Sequence, residues 1–195
     1  VMAQTITNAI KLDKIPNAYL LTGIRGVGKT TTARLIAKAL NCEKNSNSKI
    51  LCSAENFCPT CQEIINSNHI DILEMDAASK TGIDDVRELI ESSKYSPTSA
   101  KFKIFIIDEV HMLSKQAFNG LLKTLEEPPP SLKFILATTE VRKIPVTILS
   151  RCQRFDLKRV SVELLCDHLK KITEEENGKI SNDAIKLIAR TSEGS

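Results

Sequence analysis

The sequence predicts an α/β protein in which helices cover both faces of a parallel, five-stranded sheet. Three observations lead to this prediction. Short apolar runs alternate with stretches whose apolar residues recur at helical spacing until about residue 158. Hydrophobic residues form 42% of the 195-residue chain but aromatic residues only 4%, so the core must be aliphatic, as in buried parallel strands. A glycine-rich loop at 23–30 joins the first apolar run to the first helical stretch.

The five predicted strands are runs rich in aliphatic residues. They lie at 18–23, 69–75, 102–108, 133–139 and 153–157. The third run is apolar nearly throughout, which predicts a strand near the centre of the sheet. Helices are predicted over 29–40, from residue 83 to 90, and after Ser114, which is a favourable N-cap. Three consecutive prolines, 128–130, end the last of these helices.

Composition argues against several classes of protein. The net charge of +3 is too small to indicate nucleic-acid binding by itself. No apolar run approaches the roughly 18 residues of a membrane span, and the first residues lack the continuous apolar region of a signal peptide. We therefore expect a cytoplasmic protein with no membrane partner. In that compartment, clustered cysteines bind metal more often than they form disulfides.

The stretch "GIRGVGKT" at 23–30 fits the phosphate-loop pattern G-x-x-x-x-G-K-[ST], after a predicted strand and before a predicted helix. Glycines let backbone N–H groups wrap a phosphate, and the helix N-terminus adds partial positive charge. Lys29 is expected to reach the β- and γ-phosphates and the Thr30 hydroxyl to ligate Mg²⁺. A chance glycine-rich turn is the alternative, and the flanking elements argue against it. The residues expected to bind nucleotide are Gly23, Arg25, Gly26, Val27, Gly28, Lys29, Thr30, Thr31 and Asp108.

An acidic pair, Asp108 and Glu109, ends the third predicted strand. Ligands of open α/β sheets bind at the carboxyl ends of the strands. Asp108 is therefore expected in the Mg²⁺ shell and Glu109 as the general base for an attacking water. The alternative is the solvated start of a helix. We assign no role to His111, since a lone histidine near a site more often serves packing.

Four cysteines fall within twenty residues, separated by nine, five and two residues. The last two form a C-x₂-C pair, which is a zinc-knuckle spacing. Four thiolates without a water-activating group predict a closed, structural zinc site formed by Cys42, Cys52, Cys58 and Cys61. A redox C-x₂-C remains the alternative, although that motif should open a helix after a strand. Nucleic-acid binding is disfavoured, because the segment holds only two lysines and one aromatic residue.

Several longer segments resemble one known family. They are "GIRGVGKTTTARLIAKALNC", "DAASKTGIDDVREL", "IFIIDEVHMLSKQAFNGLLKTLEEPP", "FILATTE" and "PVTILSRCQRF". Together they are similar to the clamp-loader ATPases of bacterial DNA polymerase III, the gamma/tau family, which are AAA+ proteins. The resemblance covers nearly the whole chain, and it also implies a four-cysteine zinc module at this position.

The resemblance implies further site residues and partners. Thr139 matches the polar sensor-1 residue near the γ-phosphate, with Thr138 as the second choice. Arg151 in "SRC" matches the arginine finger that acts in trans on the ATP of a neighbouring subunit. Expected cofactors are ATP, Mg²⁺ and structural Zn²⁺. Expected partners are the delta, delta-prime and further gamma/tau subunits, the sliding clamp, and primed DNA through the assembled loader.

The implied function is an ATP-driven motor that loads the sliding clamp onto primed DNA during replication. A scaffold of the delta-prime type, which does not hydrolyse ATP, is the main alternative, and a Holliday-junction branch-migration motor is another within the AAA+ class. Six basic residues within 142–159 form either a subunit-facing or DNA-facing edge or a solvated rim.

Residues 1–159 are expected to form the AAA+ nucleotide-binding domain, with the zinc module inserted at 41–62. Residues 160–195 show only helical spacing and are expected to begin a small helical lid domain. Relative to the family, the chain lacks an adenine-contacting segment before residue 1, and a sensor-2 arginine and a helical collar after residue 195. We therefore expect the isolated chain to be monomeric, to bind nucleotide weakly and to show little ATPase activity.

Overall fold

Five parallel strands form one sheet in the computed structural model, which describes residues 2–45, 52, 57–80 and 82–195. The strands are β1 (Ala18–Thr22), β2 (Ile72–Asp76), β3 (Lys103–Asp108), β4 (Leu132–Thr138) and β5 (Gln153–Asp156). Their order across the sheet is β2-β3-β4-β1-β5, and every neighbouring pair is parallel. The predicted sheet is therefore confirmed. The run at 102–108 is an inner strand as expected, although the central position belongs to β4, all of whose residues are buried.

Helices lie before, between and after the strands. They are α1 (Met2–Lys11), α2 (Lys29–Asn41), α3 (Pro59–Ile65), α4 (Ile83–Ser93), α5 (Lys115–Glu126), α6 (Val146–Leu149), α7 (Val162–Glu175) and α8 (Asn182–Thr191). Helices α1, α3 and α6 were not predicted from the sequence. The last two are only seven and four residues long, so they span too few turns to show a helical period.

Side chains from the inner strands alternate between two separate cores, one on either face of the sheet. On β3, Phe105 and Ile107 join a core formed with α4 and α5, whereas Ile104 and Ile106 join a core formed with α1, α2 and α3. The same alternation separates Leu20 from its neighbours on β1. Burial on both faces explains why the strand runs are continuously apolar. It also confirms that helices cover both sides of the sheet.

The last two helices follow β5 and are capped by serine hydroxyls. Ser161 accepts a hydrogen bond from the amide of Leu164, and Ser181 accepts one from the amide of Ala184. The domain boundary expected at 158–160 falls between β5 and α7 and stays a prediction. The side chain of Cys166 on α7 is partly buried between α7 and α8. Among the helices in the described part of the chain, none has the length and apolar composition that crossing a membrane requires.

The buried side-chain amide of Asn41 links the C-terminal end of α2 to the residue before β3. Asn41 is 4% exposed, and its side chain both donates to the carbonyl oxygen of Phe102 (2.9 Å) and accepts from its amide (2.9 Å). These contacts satisfy two backbone groups just before β3 that no neighbouring strand satisfies at that point. The end of α2 is thereby held independently of the cysteines that follow it.

We expect Asn41→Ala to lower the free energy of unfolding by about 2 to 4 kcal/mol, because it leaves a buried backbone donor and acceptor without partners. Urea denaturation measures this change. Asn119→Ala, which removes an exposed amide from α5, is the matched control and should shift stability by less than about 0.5 kcal/mol. Equal effects of the two substitutions would contradict the structural role of Asn41.

Candidate nucleotide site

The phosphate loop connects β1 to α2 and depends on glycine at two positions. Gly26 has a φ of 77° and Gly28 a φ of 91°, a backbone region that side-chain-bearing residues rarely adopt. Gly28 is also the N-cap residue of α2, so the first free amides of that helix point toward the loop. The predicted loop therefore has the backbone shape and the helix N-terminus that bind phosphate groups.

The side chain of Lys29 folds back inside this loop. The residue is 5% exposed, and its Nζ donates to the carbonyl oxygens of Gly23 (3.3 Å) and Ile24 (3.0 Å). A lysine ammonium is a strongly hydrated charge, so its burial requires such compensating acceptors. The result is a fixed positive charge beside the first turn of α2, where the sequence pattern places it.

Thr30 and Asp108, which are 78 positions apart, meet across the sheet edge. The Thr30 hydroxyl donates to Oδ2 of Asp108, and Oδ1 of the same carboxylate accepts from the amide of Glu109 (2.9 Å). A hydroxyl and a carboxylate oxygen are both hard ligands of the kind that Mg²⁺ prefers. These two residues therefore fit the magnesium role expected from the sequence.

Glu109 leaves β3 in an unusual backbone conformation. Its φ and ψ are 44° and 43°, in the left-handed region, which is uncommon for a residue with a side chain. Oε2 of its carboxylate accepts from the hydroxyl (3.0 Å) and the amide (3.3 Å) of Thr139 at the end of β4. The structure thus brings the expected general base and the expected sensor residue into direct contact. Such conformations cost about 1 to 3 kcal/mol and are retained where surrounding contacts determine them.

The two adjacent threonines face different surroundings. Thr139 borders the cleft, whereas Thr138 is fully buried and its hydroxyl contacts Nδ1 of His111 (3.0 Å) and the amide of Glu140 (3.0 Å). The side chain of His111 is 6% exposed and lies 3.4 Å from Glu109. Sequence analysis assigned it no role. Its position three residues after Asp108 gave no sign of these contacts, since they depend on the neighbouring strand.

A cleft of about 960 Å³ runs along the carboxyl ends of the strands beside the phosphate loop. It is lined by Ile24, Arg25, Gly26, Gly28, Lys29, Thr30, Thr31, Asp76, Ala78, Asp108, Glu109, His111, Met112 and Thr139. Of the residues expected to bind nucleotide, Gly23 and Val27 belong to the loop but are not in this lining. Asp76 was missed because the predicted second strand stopped at residue 75. Register with β3 places it beside Asp108, a relation that only strand pairing reveals.

Arg151 lies apart from this cleft, directly after α6. Its guanidinium donates to Glu126 Oε1 on α5 (2.7 Å) and to the carbonyl oxygen of Thr147 (2.6 Å). The side chain remains 35% exposed. It therefore cannot contribute to the nucleotide site of its own chain without leaving these partners, and it faces solvent at the protein surface.

The four clustered cysteines converge at the far end of α2. Their Sγ atoms all lie within 4.8 Å of one another, with those of Cys42 and Cys52 3.5 Å apart. A tetrahedral ion bound at about 2.3 Å requires sulfurs about 3.8 Å apart, so the four thiols fit such an ion. Residues 46–51 and 53–56 of the insertion, expected to be mostly loop, lie outside the described residues. The C-x₂-C pair ends this loop but also opens α3, contrary to the expectation that it would not begin a helix.

The thiols differ in how easily they ionise. Against the effect of partial burial, the hydrogen bond from the Cys58 amide lowers the pKa of Cys52 to about 7. Burial, reinforced by neighbouring thiols, raises the pKa of Cys61 well above its ordinary range. Four thiolates this close repel one another, so a bound cation is the natural means of holding them all ionised. A single redox pair would leave the convergence of the other two cysteines unexplained.

The parallel sheet and the phosphate loop together define a P-loop domain with the AAA+ fold. The crystal structure of the Thermotoga maritima RuvB Holliday junction branch migration motor superposes with a TM-score of 0.65 at 20% identity, over 96% of this chain and 53% of that one. A DNA polymerase III gamma subunit-related protein from the same organism gives 0.62 at 24% identity, over 88% and 51%. At these identities the likeness establishes the fold alone and does not separate the two functions.

Sequence comparison identifies the family more closely. The family model described as "DNA polymerase III, delta subunit" matches residues 1–161, and the chain belongs to this family of DNA polymerase III subunits. It is 48% identical to the tau subunit of Escherichia coli K12 over 190 residues, 97% of this chain and 29% of that protein. The chain spans about half or less of the length of such curated gamma and tau relatives.

Proposed function

We propose that this chain is the ATP-hydrolysing motor portion of a bacterial clamp-loader subunit of the gamma/tau type, which loads a sliding clamp onto primed DNA. The observation that carries this proposal is the meeting of Lys29, the Thr30–Asp108 pair and the Glu109–Thr139 pair around one cleft. A subunit that only binds its neighbours has no need for this arrangement. Identity to gamma and tau subunits over nearly the whole chain supports the same proposal.

Each residue has a defined task in this proposal. Loop amides and Lys29 bind the phosphates, and Thr30 with Asp108 would hold Mg²⁺, which offsets charge on the β- and γ-phosphates when bound. Glu109 orients and deprotonates the attacking water, and the hydroxyl of Thr139 holds the Glu109 carboxylate at the cleft. Positioning and charge stabilisation supply most of the catalysis in phosphoryl transfer, which suits a site with so few reactive groups.

The proposed partners follow from the same assignment. They are delta, delta-prime and further gamma/tau subunits, the sliding clamp, and primed DNA reached through the assembled loader, in the bacterial cytoplasm. In this proposal residues 1–159 bind the nucleotide and 160–195 begin a helical lid over it. A scaffold role of the delta-prime type is the second candidate, favoured by the description of the family model as a delta subunit.

Substituting Lys29 separates the two candidates. In the full-length protein within the reconstituted loader, Lys29→Ala should abolish ATPase activity and clamp loading, because the loop loses its fixed positive charge. Phosphate release from ATP and a clamp-loading assay on primed DNA measure the two effects. Lys115→Ala, an exposed lysine on α5, is the control and should retain both activities. Normal loading by the Lys29 variant would favour the scaffold role.

We also propose that Arg151 acts in trans, on ATP bound to a neighbouring subunit. Its exposed guanidinium lies outside the cleft of its own chain, and an arginine finger offers forked donors to charge developing on the γ-phosphoryl oxygens. Glu126 keeps this guanidinium oriented at the surface.

Arg151→Ala should lower the ATPase kcat of the assembled loader by roughly 10³-fold while leaving Mg-ATP affinity of the subunit unchanged. Arg154→Ala, on the adjacent strand, is the matched control and should retain the wild-type rate. A fall in nucleotide affinity of the unassembled subunit would show that Arg151 acts within its own chain and would contradict the proposal.

We propose further that the four clustered cysteines bind one structural Zn²⁺. When bound, the ion would neutralise thiolate charge and join the end of α2 to the start of α3. Lys38 on α2 connects the domain to this module, since its Nζ lies 4.1 Å from the ring centre of Phe57. Within the module, the Thr60 hydroxyl donates to Glu43. Neither the sheet edge nor the cleft contains any of the four thiols.

Metal analysis should find one zinc per chain, and Cys58→Ser should remove it by withdrawing one of four ligands. Cys166→Ser, outside the cluster, is the control and should keep full occupancy. ATPase activity of the assembled loader should fall far less than in the Lys29 variant, because the thiols lie at the opposite end of α2. Zinc-free wild-type protein with a titratable dithiol would instead support the redox alternative.

A further inference from the structure

His111 lies between Glu109, which follows β3, and Glu140, which follows β4. Its Nδ1 atom lies 3.0 Å from the hydroxyl of Thr138 and 3.4 Å from Oε2 of Glu109, and its Nε2 atom lies 3.5 Å from Oε1 of Glu140. The side chain is 6% exposed, so the ring has little freedom to leave these neighbours. It therefore touches both a carboxylate in the cleft and one at the surface.

The groups on the two sides of the ring differ in how firmly they are fixed. Thr138 is fully buried in β4, and its hydroxyl also accepts from the amide of Glu140. Glu140 is about half exposed, and its carboxylate accepts from Lys143 (2.9 Å), a contact that lowers the pKa of Glu140. The Nδ1 side thus faces a buried strand and the cleft, whereas the Nε2 side faces an exposed surface ion pair of little energetic value.

The carboxylate of Glu109 needs contacts that hold it in a fixed position. It begins a short turn in the left-handed conformation, and the described hydrogen bonds to its carboxylate come from Thr139 on the adjacent strand and converge on Oε2. His111 approaches this same oxygen from the turn at Val110–Met112. A general base must be held to within a fraction of an ångström of its working position to contribute fully.

We propose that His111 is a positioning residue for the hydrolysis of ATP, acting through its Nδ1 side to hold the Glu109 carboxylate against Thr139. This inference rests on the proposed function, since Glu109 must be the general base. His111 itself touches neither the phosphate loop nor the Thr30–Asp108 pair in any described hydrogen bond. Its effect is therefore expected on the chemical step and not on nucleotide binding.

Two amide substitutions test the two sides of the ring separately. The side-chain nitrogen of Asn lies as many bonds from Cα as Nδ1 of His, and that of Gln as many as Nε2. His111→Asn therefore retains a polar group facing Thr138 and Glu109, while His111→Gln retains one facing Glu140. A packing role or a role in the surface ion pair predicts a different ranking of these variants.

The assay is ATP hydrolysis by the full-length protein in the reconstituted loader. We expect His111→Asn to keep kcat within about threefold of wild type and His111→Gln to lower it about 10- to 100-fold, with KM for ATP unchanged in both. Equal rates in the two variants, the reverse ranking, or a change in KM in place of kcat would overturn the proposal. Thermal unfolding of each variant identifies any loss of activity caused by unfolding.

Two further variants complete the test. Glu140→Gln tests the role of the Nε2 side without relying on His111→Asn, and Glu109→Gln tests the proposed function separately from the inference. Glu140→Gln should keep the wild-type kcat, and a tenfold fall would assign the role to the Nε2 side and overturn the inference, even if His111→Asn did not fold. Glu109→Gln should lower kcat by at least about 100-fold. If wild-type loader is inactive, or Glu109→Gln is fully active, the proposed function fails. If both behave as expected, the His111 variants test the inference alone.

Discussion

Burial of the inner strands on both faces is the constraint on which the nucleotide site depends. β3 and β4 pack against helices on either side, so polar side chains along them would be costly. The polar groups that we propose to be catalytic occur instead where the strands end. Because all five strands are parallel, their carboxyl ends meet at one edge of the sheet. Asp108 and Thr139, which are 31 positions apart, thereby approach the same cleft as the loop after β1.

The length of α2 separates the phosphate loop at its N-terminal end from the cysteine cluster at its C-terminal end. Its N-terminal end presents free amides, Lys29 and Thr30 to the cleft, and its C-terminal end is fixed by Asn41 and continues into Cys42. Thirteen residues extend about 20 Å, so the cysteine cluster lies well beyond the reach of a bound phosphate. This separation explains how a four-cysteine module can be inserted directly after the phosphate-loop helix without altering the site. It also explains why a structural metal suits the cluster better than a catalytic one.

The strained backbone of Glu109, in the turn after β3, is stabilised by contacts with nearby side chains. Glu109 adopts a left-handed conformation that its own side chain disfavours, and the contacts that compensate for it come from Thr139 directly after β4 and from His111 two residues further along. The Thr139 contact exists only because β3 and β4 pair in their observed register, whereas the His111 contact is formed within the turn itself. The geometry of the expected general base is therefore a property of the paired strands and not of the acidic motif alone.

The sequence by itself determined the strand and helix alternation, the phosphate loop, the acidic pair and the four members of the cysteine cluster. Each of these features depends on residues that are close together in the chain, where periodicity and spacing determine the local backbone structure. Tertiary structure decided that Thr139 and not Thr138 borders the cleft, that His111 and Asp76 belong to it, and that Arg151 lies outside it. These outcomes depend on strand order, on register and on the face of the sheet from which a side chain emerges. A one-residue shift in the register of β4 would exchange the positions of Thr138 and Thr139.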